Sequence, residues 1–288
     1  MSDAGTADVS GTSKYAERLY QLRTVYFEQL RIFKKSRMAH IYLGMLLLIP
    51  LVGMTFLRIL YNEFDLQISA VRIILYALPL AMSLIIPRIA GSPLQDEYSR
   101  NTAYSTFTVP VSRSVIYIGK YLAAYTLTAV VFIGVYIMGI LTGFMFESHG
   151  IRSPLTSLML CLVGVFAISG TTYGISAHIR KGAVPLTTVA NLSIPIIFVL
   201  FLILANGSFM AAMNYMLSGL WDFMKVLPPF IGYNAMYILN PNPEGIVTQA
   251  LAVFTVYPGP IYHLVLFSSA WGLAFLYIGH RRFMKKDM

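Results

Sequence analysis

Residues 185–205 form 21 consecutive positions without one charged side chain. As a helix rising about 1.5 Å per residue, such a run spans about 30 Å, the thickness of bilayer hydrocarbon. A soluble helix of that length carries charges on an outer face. Here Thr187, Thr188, Asn191 and Ser193 are the only polar side chains. Similar apolar runs lie at about 39–60, 70–90, 115–146, 155–177 and 261–279. Composition agrees: 57% of the chain is apolar and 11% charged, against about 45–50% and about 25% in soluble domains. The expectation is an all-α membrane protein with six transmembrane helices.

The flanking segments have their own patterns. Residues 1–12 are small and polar and read as a disordered tail. Over 13–38, Tyr15, Leu19, Leu22, Tyr26, Leu30 and Phe33 recur at three- and four-residue spacing, with Arg and Lys filling much of the rest. This predicts an amphipathic interfacial helix with rings at the headgroups and cations on anionic lipid. Residues 39–288 then form the six-span domain. No short apolar core with a small-residue cleavage site precedes it, so the first span is expected to be retained. Pro79 and Pro87 are expected to bend the second span. The stretch 206–256 is too long for a plain loop and too interrupted for a span. It predicts two short helices on the outer interface, about 209–227 and 244–254, before the last span.

The formal net charge is +9. In a soluble protein that would point to nucleic acid, but here the cations flank apolar runs and no nucleic-acid motif is present. With both termini inside, 17 Lys and Arg face the cytoplasm and four (Arg58, Arg72, Arg152, Lys225) face outward. That bias predicts a multi-pass protein of the cell (plasma) membrane with both termini cytoplasmic.

One cytoplasmic stretch is unexpectedly polar. Residues 91–124 read GSPLQDEYSRNTAYSTFTVPVSRSVIYIGKYLAA and hold Asp96, Glu97, Arg100, Arg113 and Lys120. The stretch has no nucleotide site of its own. Gly119-Lys120 lacks the upstream glycine of a Walker A loop, where Ser114 stands, and Tyr121 replaces its Ser/Thr. Metal patterns are missing too: Cys161 is the one cysteine, and five histidines are dispersed near span ends, as interface anchors are. The Met210, Met213 and Met216 spacing could suit soft Cu(I), but it suits an adaptable apolar helix face better. The span interiors carry no Asp or Glu, which argues against a proton- or ion-coupled carrier. Energy for any transport must then come from outside the chain.

A family likeness rests on this stretch. Glu97, Thr102, Pro110-Val111-Ser112-Arg113 and Gly119-Lys120 with Leu122-Ala123 resemble the cytoplasmic segment of ABC-2 type transporter permeases. That segment usually reads ERExGTLExLLxxPVSRxxxxxGKxLA between the second and third spans. Thr102 stands eight residues before the proline and Gly119 six after Arg113, as in the family. Asn101, Ser99 and Phe107 depart from it, at a glycine, a glutamate and a leucine.

The resemblance implies a permease that pairs with a second permease chain, as homo- or heterodimer, and with cytoplasmic ABC ATPase subunits. ATP and magnesium then belong to the ATPase, and this chain is no enzyme and needs no cofactor. The ATPase-coupling segment would comprise Asp96, Glu97, Arg100, Thr102, Phe107, Pro110, Arg113 and Lys120. From the residues themselves, a short polar helix bearing Glu97 and Arg100 can make charge-assisted contacts, Pro110 ends it, and Ser112 can cap the next helix. Arg113 and Lys120, seven apart, share a face that could meet lipid phosphate or an acidic surface. Thr187, Asn191 and Ser193 are the candidates for the translocation path. The function expected is an ABC exporter permease; a membrane scaffold recruiting a soluble partner, or an ATP-independent channel or carrier, is the alternative.

Overall fold

The helix Pro154–His178 is built largely from small residues. Ten of its 14 buried residues are Gly, Ala, Ser, Thr or Cys. Small side chains let neighbouring backbones approach, which is how membrane helices associate when lipid offers no hydrophobic contrast. The computed structural model describes residues 9–36, 40, 44, 70–99, 111–146, 153–179, 182–204, 222–239 and 256–285. Seven helices are named here: α1 (Val9–Lys35), α2 (Ala70–Ser99), α3 (Arg113–Phe146), α4 (Pro154–His178), α5 (Ala183–Leu204), α6 (Pro228–Leu239) and α7 (Ile261–Met284). Among the described residues there is no strand.

Helix α4 is the hub and packs against α2, α3, α5, α6 and α7. Its apolar window is 61% buried, against 33% for α3 and 17% for α7. Among the described residues, α4, α7 and the Arg113–Leu141 part of α3 are each long and apolar enough to cross a membrane. The expected first span, 39–60, lies outside the described residues save His40 and Gly44, both helical.

Helices α3 and α4 run antiparallel and are tied at two levels. The Tyr136 hydroxyl donates to the Pro154 carbonyl at 2.8 Å, and the Tyr173 hydroxyl donates to the Tyr117 carbonyl at 2.9 Å. The two ties lie 19 residues apart on each helix. That separation corresponds to about 28 Å, close to the hydrocarbon thickness.

Helix α2 continues nine residues past the expected end at 90, unbroken through Pro79, Pro87 and Pro93. Each proline lacks the N–H that its i−4 carbonyl would accept. At Pro93 the loss is repaired locally, because the Ser92 hydroxyl donates to the orphaned Ile89 carbonyl at 3.1 Å. Elsewhere buried hydroxyls return to their own helix: Thr128 to Ala124, Thr172 to Ile168 and Ser176 to Thr172. This satisfies them without water.

The segment before α7 differs from expectation. The Pro228-Pro229 pair opens α6 rather than breaking a helix, as proline can where N–H groups have no intrahelical partner. Helix α6 is buried over ten of its 12 residues, against α2, α4 and α5. It carries no charge, so burial leaves no ion unpaired. Gly232 lies on Pro79, Gly164 lies on Ile231, and the Ser157 hydroxyl donates to the Ala235 carbonyl at 2.7 Å. Met236 packs in the apolar core of this end. Helix α6 falls between the two expected outer helices, 209–227 and 244–254. Of the first, residues 222–227 are described, helical over 222–225 with Lys225 and Val226 buried; the remainder of both, with Met210, Met213 and Met216, lies outside the described residues.

Candidate functional site

The described part of the polar stretch begins and ends on one apolar cluster. Leu94, near the end of α2, is fully buried with Ile116, Tyr117 and Tyr121 of α3, Tyr173 and Ala177 of α4, and Phe283 of α7. Val111 packs against the same cluster. Both flanks of residues 95–110 are therefore anchored at one point, where four helices meet. The rings fix it: Tyr117 lies 4.8 Å from Tyr173 and 5.4 Å from Phe283, and Tyr121 lies 5.4 Å from Tyr173, centroid to centroid. Such pairs add about 0.5–1.5 kcal/mol beyond their buried area.

Asp96 is exposed on the last turns of α2, and Glu97 belongs to the same helix. The acidic pair thus rides on the end of a long helix rather than on a separate short one. Arg100, Thr102, Phe107 and Pro110 lie outside the described residues. Beyond them Ser112 acts as N-cap of α3. Its hydroxyl accepts the Val115 N–H at 3.4 Å, and its carbonyl accepts the Ile116 N–H at 3.1 Å.

Helix α3 then makes contacts on two sides. On one side lies α7. Arg113 donates to the Met284 carbonyl at 3.4 Å, Ser114 Oγ lies 2.7 Å from Nε2 of His280, and the Tyr117 hydroxyl donates to the Leu276 carbonyl at 3.2 Å. On the other side lies α1, which crosses at Gly119. A Cβ built there would come within 2.9 Å of Val25 Cγ1 and 3.5 Å of the Leu22 carbonyl. Lys120 is 7% exposed.

Helix α1 begins at Val9, ahead of the expected 13. It turns Gln29 and Phe33 inward, with Leu22, Val25, Tyr26 and Leu30 half-buried. Its opposite face leaves Tyr20, Arg23, Phe27, Arg31 and Lys34 exposed, with Arg23 5.7 Å above the Phe27 ring.

The candidate path residues sit on α5. Thr187 and Asn191 are buried and Ser193 is half-buried. The Thr187 hydroxyl donates to the Ala183 carbonyl at 2.9 Å. Among the described residues no three His, Cys, Asp or Glu side chains converge on a possible metal position.

Several residues of this site escape a reading of motifs. Tyr117, Tyr121 and Tyr125 recur every four residues, a visible stripe, but nothing in the chain says that it meets Tyr173. Ser114 and His280 are 166 residues apart and have no shared pattern.

Helices long and apolar enough to cross a bilayer, meeting at one buried aromatic cluster, define a helical membrane protein. A family model described as ABC-2 family transporter protein matches residues 27–186, more than half of the chain. The chain belongs to that family, as a membrane-spanning permease of an ABC transporter. No curated protein matches the chain.

Proposed function

We propose that this chain is the permease subunit of an ABC exporter in the plasma membrane, with six spans and both termini in the cytoplasm. It pairs with a second permease chain, identical or different. Cytoplasmic ATPase subunits hold the ATP and magnesium. Residues 95–110 are the coupling segment, with Asp96, Glu97 and Arg100 making charge-assisted contacts to the ATPase. One observation carries this reading: Leu94 and Val111 pack on the same buried cluster of α2, α3, α4 and α7. A push on a segment with both ends on one rigid base moves the base, whereas a loosely hung loop absorbs the push.

Helix α1 lies at the membrane surface in this reading. Its exposed rings and cations suit headgroups, and its crossing at Gly119 ties it to the start of α3. Thr187, Asn191 and Ser193 of α5 are the residues to examine for the translocation path, which opens as α5 separates from α2 and α4.

The test is co-purification with the candidate ATPase and measurement of ATP hydrolysis in lipid. Glu97→Ala with Arg100→Ala should weaken ATPase binding and lower hydrolysis by tenfold or more, as loss of charge-assisted contacts does. Unchanged binding and hydrolysis would remove the coupling role. A partner that binds without ATP work would instead favour a scaffold.

A further inference from the structure

We infer that the C-terminal end of α7 is a second element driven by the coupling segment, with Ser114 and His280 as positioning residues that clasp it to α3. This rests on the permease reading above.

Three polar ties join the two helices in antiparallel order, and a longer contact from the Ser114 hydroxyl to Met284 Sδ, at 3.7 Å, lies beside them. Tyr117 meets Leu276, Ser114 meets His280, and Arg113 meets Met284. Leu276, His280 and Met284 are spaced one turn apart, so they form a single stripe along α7. Two of the three ties end on backbone carbonyls and depend only on where the α7 backbone runs. The middle one depends on two side chains and is the shortest, at 2.7 Å. Tyr117 reinforces it with ring contacts to His280 at 5.5 Å and to Phe283 at 5.4 Å.

The position of the clasp gives it a mechanical role. Ser114 follows Ser112, the cap of α3, by two residues, and Arg113 lies between them. Phe283 reaches the cluster that holds Leu94 and Val111. From this end α7 runs along α4 through Gly279 and Gly272, with backbones in close approach. A displacement of the coupling base is thus delivered to α7 as well as to α3. With the clasp intact, α3 and α7 move together. Without it, α3 can slide and leave α7 behind, and nucleotide binding is no longer matched to rearrangement of the spans.

The experiment uses the full chain with its partner ATPase in nanodiscs. Spin labels are placed at Ile118→Cys and Ile278→Cys, both exposed and near the clasp, in a Cys161→Ala background. Distances are read without nucleotide and after trapping with ATP, magnesium and orthovanadate. The unaltered clasp should give one narrow distance in both states. His280→Ala should give a second, longer distance on trapping and lower ATP hydrolysis about fivefold, the effect of one ordinary hydrogen bond, with ATPase binding retained. Ser114→Ala removes the same bond from the other side, together with the longer contact to Met284 Sδ, and should give an effect at least as large. His280→Gln, which keeps a polar side chain in reach, should restore the single distance. A purely structural role would lower stability without splitting the trapped distance. A single distance and full hydrolysis in both alanine variants overturns this inference alone. A wild-type complex that binds no ATPase overturns the permease reading and this inference with it.

Discussion

Gly170 of α4 and Gly272 of α7 face each other with no room for a methyl group. A Cβ built on Gly170 would lie 2.9 Å from the Gly272 carbonyl oxygen and 3.2 Å from its Cα. One turn along, a Cβ on Gly174 would collide with the Phe275 carbonyl. Gly170-x-x-x-Gly174 thus works as a small-residue face of the kind that lets membrane helices meet backbone to backbone. The Trp271 indole N–H, donating to the Thr171 hydroxyl at 3.1 Å, fixes the rotation of one helix against the other.

Gly170→Val should therefore destabilise the chain by about 1–3 kcal/mol, the usual cost of overpacking. The atoms in the way are backbone and cannot rotate aside. Thermal unfolding in detergent measures it. Gly134→Ala is the control, because nothing lies within 4 Å of a Cβ there. It should unfold at the wild-type temperature or slightly above, since alanine is the better helix former.

The two tyrosine ties between α3 and α4 make a second prediction. Tyr136→Phe and Tyr173→Phe each remove a hydroxyl that donates to a backbone carbonyl. The Tyr117 carbonyl lies inside a helix and already takes part in the helical ladder, so the change leaves no orphaned acceptor there. The loss at Tyr173 should be about 0.5–1 kcal/mol, the low end for a hydrogen bond. Pro154 stands in the first turn of α4, and its carbonyl likewise has a helical partner. Equal, small losses at both levels are expected, and a double variant should be additive because the ties lie too far apart to couple.

The crossing of α1 over Gly119 makes a third. Gly119→Leu should displace α1 from α3, seen as faster proteolysis within 15–35 and a fall in stability of about 1–3 kcal/mol. Gly119→Ala meets the Val25 side chain first. Combining it with Val25→Ala removes the nearest atom, Cγ1, and should recover part of the loss. No recovery would mean that the two helices do not meet at this point.

The sequence shows much of this molecule because lipid leaves few options. Apolar runs of bilayer length are helical: α2, α3, α4, α5 and α7 each overlie one, with α2 running nine residues past its expected end. What escaped it depends on local repair or on distance in the chain. Gly91 and Pro93 look like the end of α2. The helix continues because Ser92 supplies the donor that Pro93 lacks, and because Gly91 is packed on Thr172 and Ser176. Pro228-Pro229 looks like a break and is a helix start. The Pro-Val-Ser-Arg and Gly-Lys spacing carries the family likeness, which the family model over residues 27–186 supports. The meaning of its glycine came only from α1, more than 90 residues earlier.

The cap of α3 carries the last prediction. Ser112 is exposed, so replacing it leaves no cavity, and the effect of Ser112→Ala should be that of the cap alone: about 0.5–2 kcal/mol. Its hydrogen bond to the Val115 N–H is long, 3.4 Å, which places the expected loss toward the lower end. Ser112→Asp should keep the bond and add a favourable charge at the helix N-terminus, so its stability should equal or exceed wild type. The functional effect should follow the same order. Fraying the first turn of α3 loosens Arg113 and Ser114, which reach Met284 and His280. Coupled ATP hydrolysis should therefore fall in Ser112→Ala and stay intact in Ser112→Asp. If the aspartate variant lost hydrolysis while remaining as stable as wild type, the hydroxyl would be serving the ATPase surface rather than the helix.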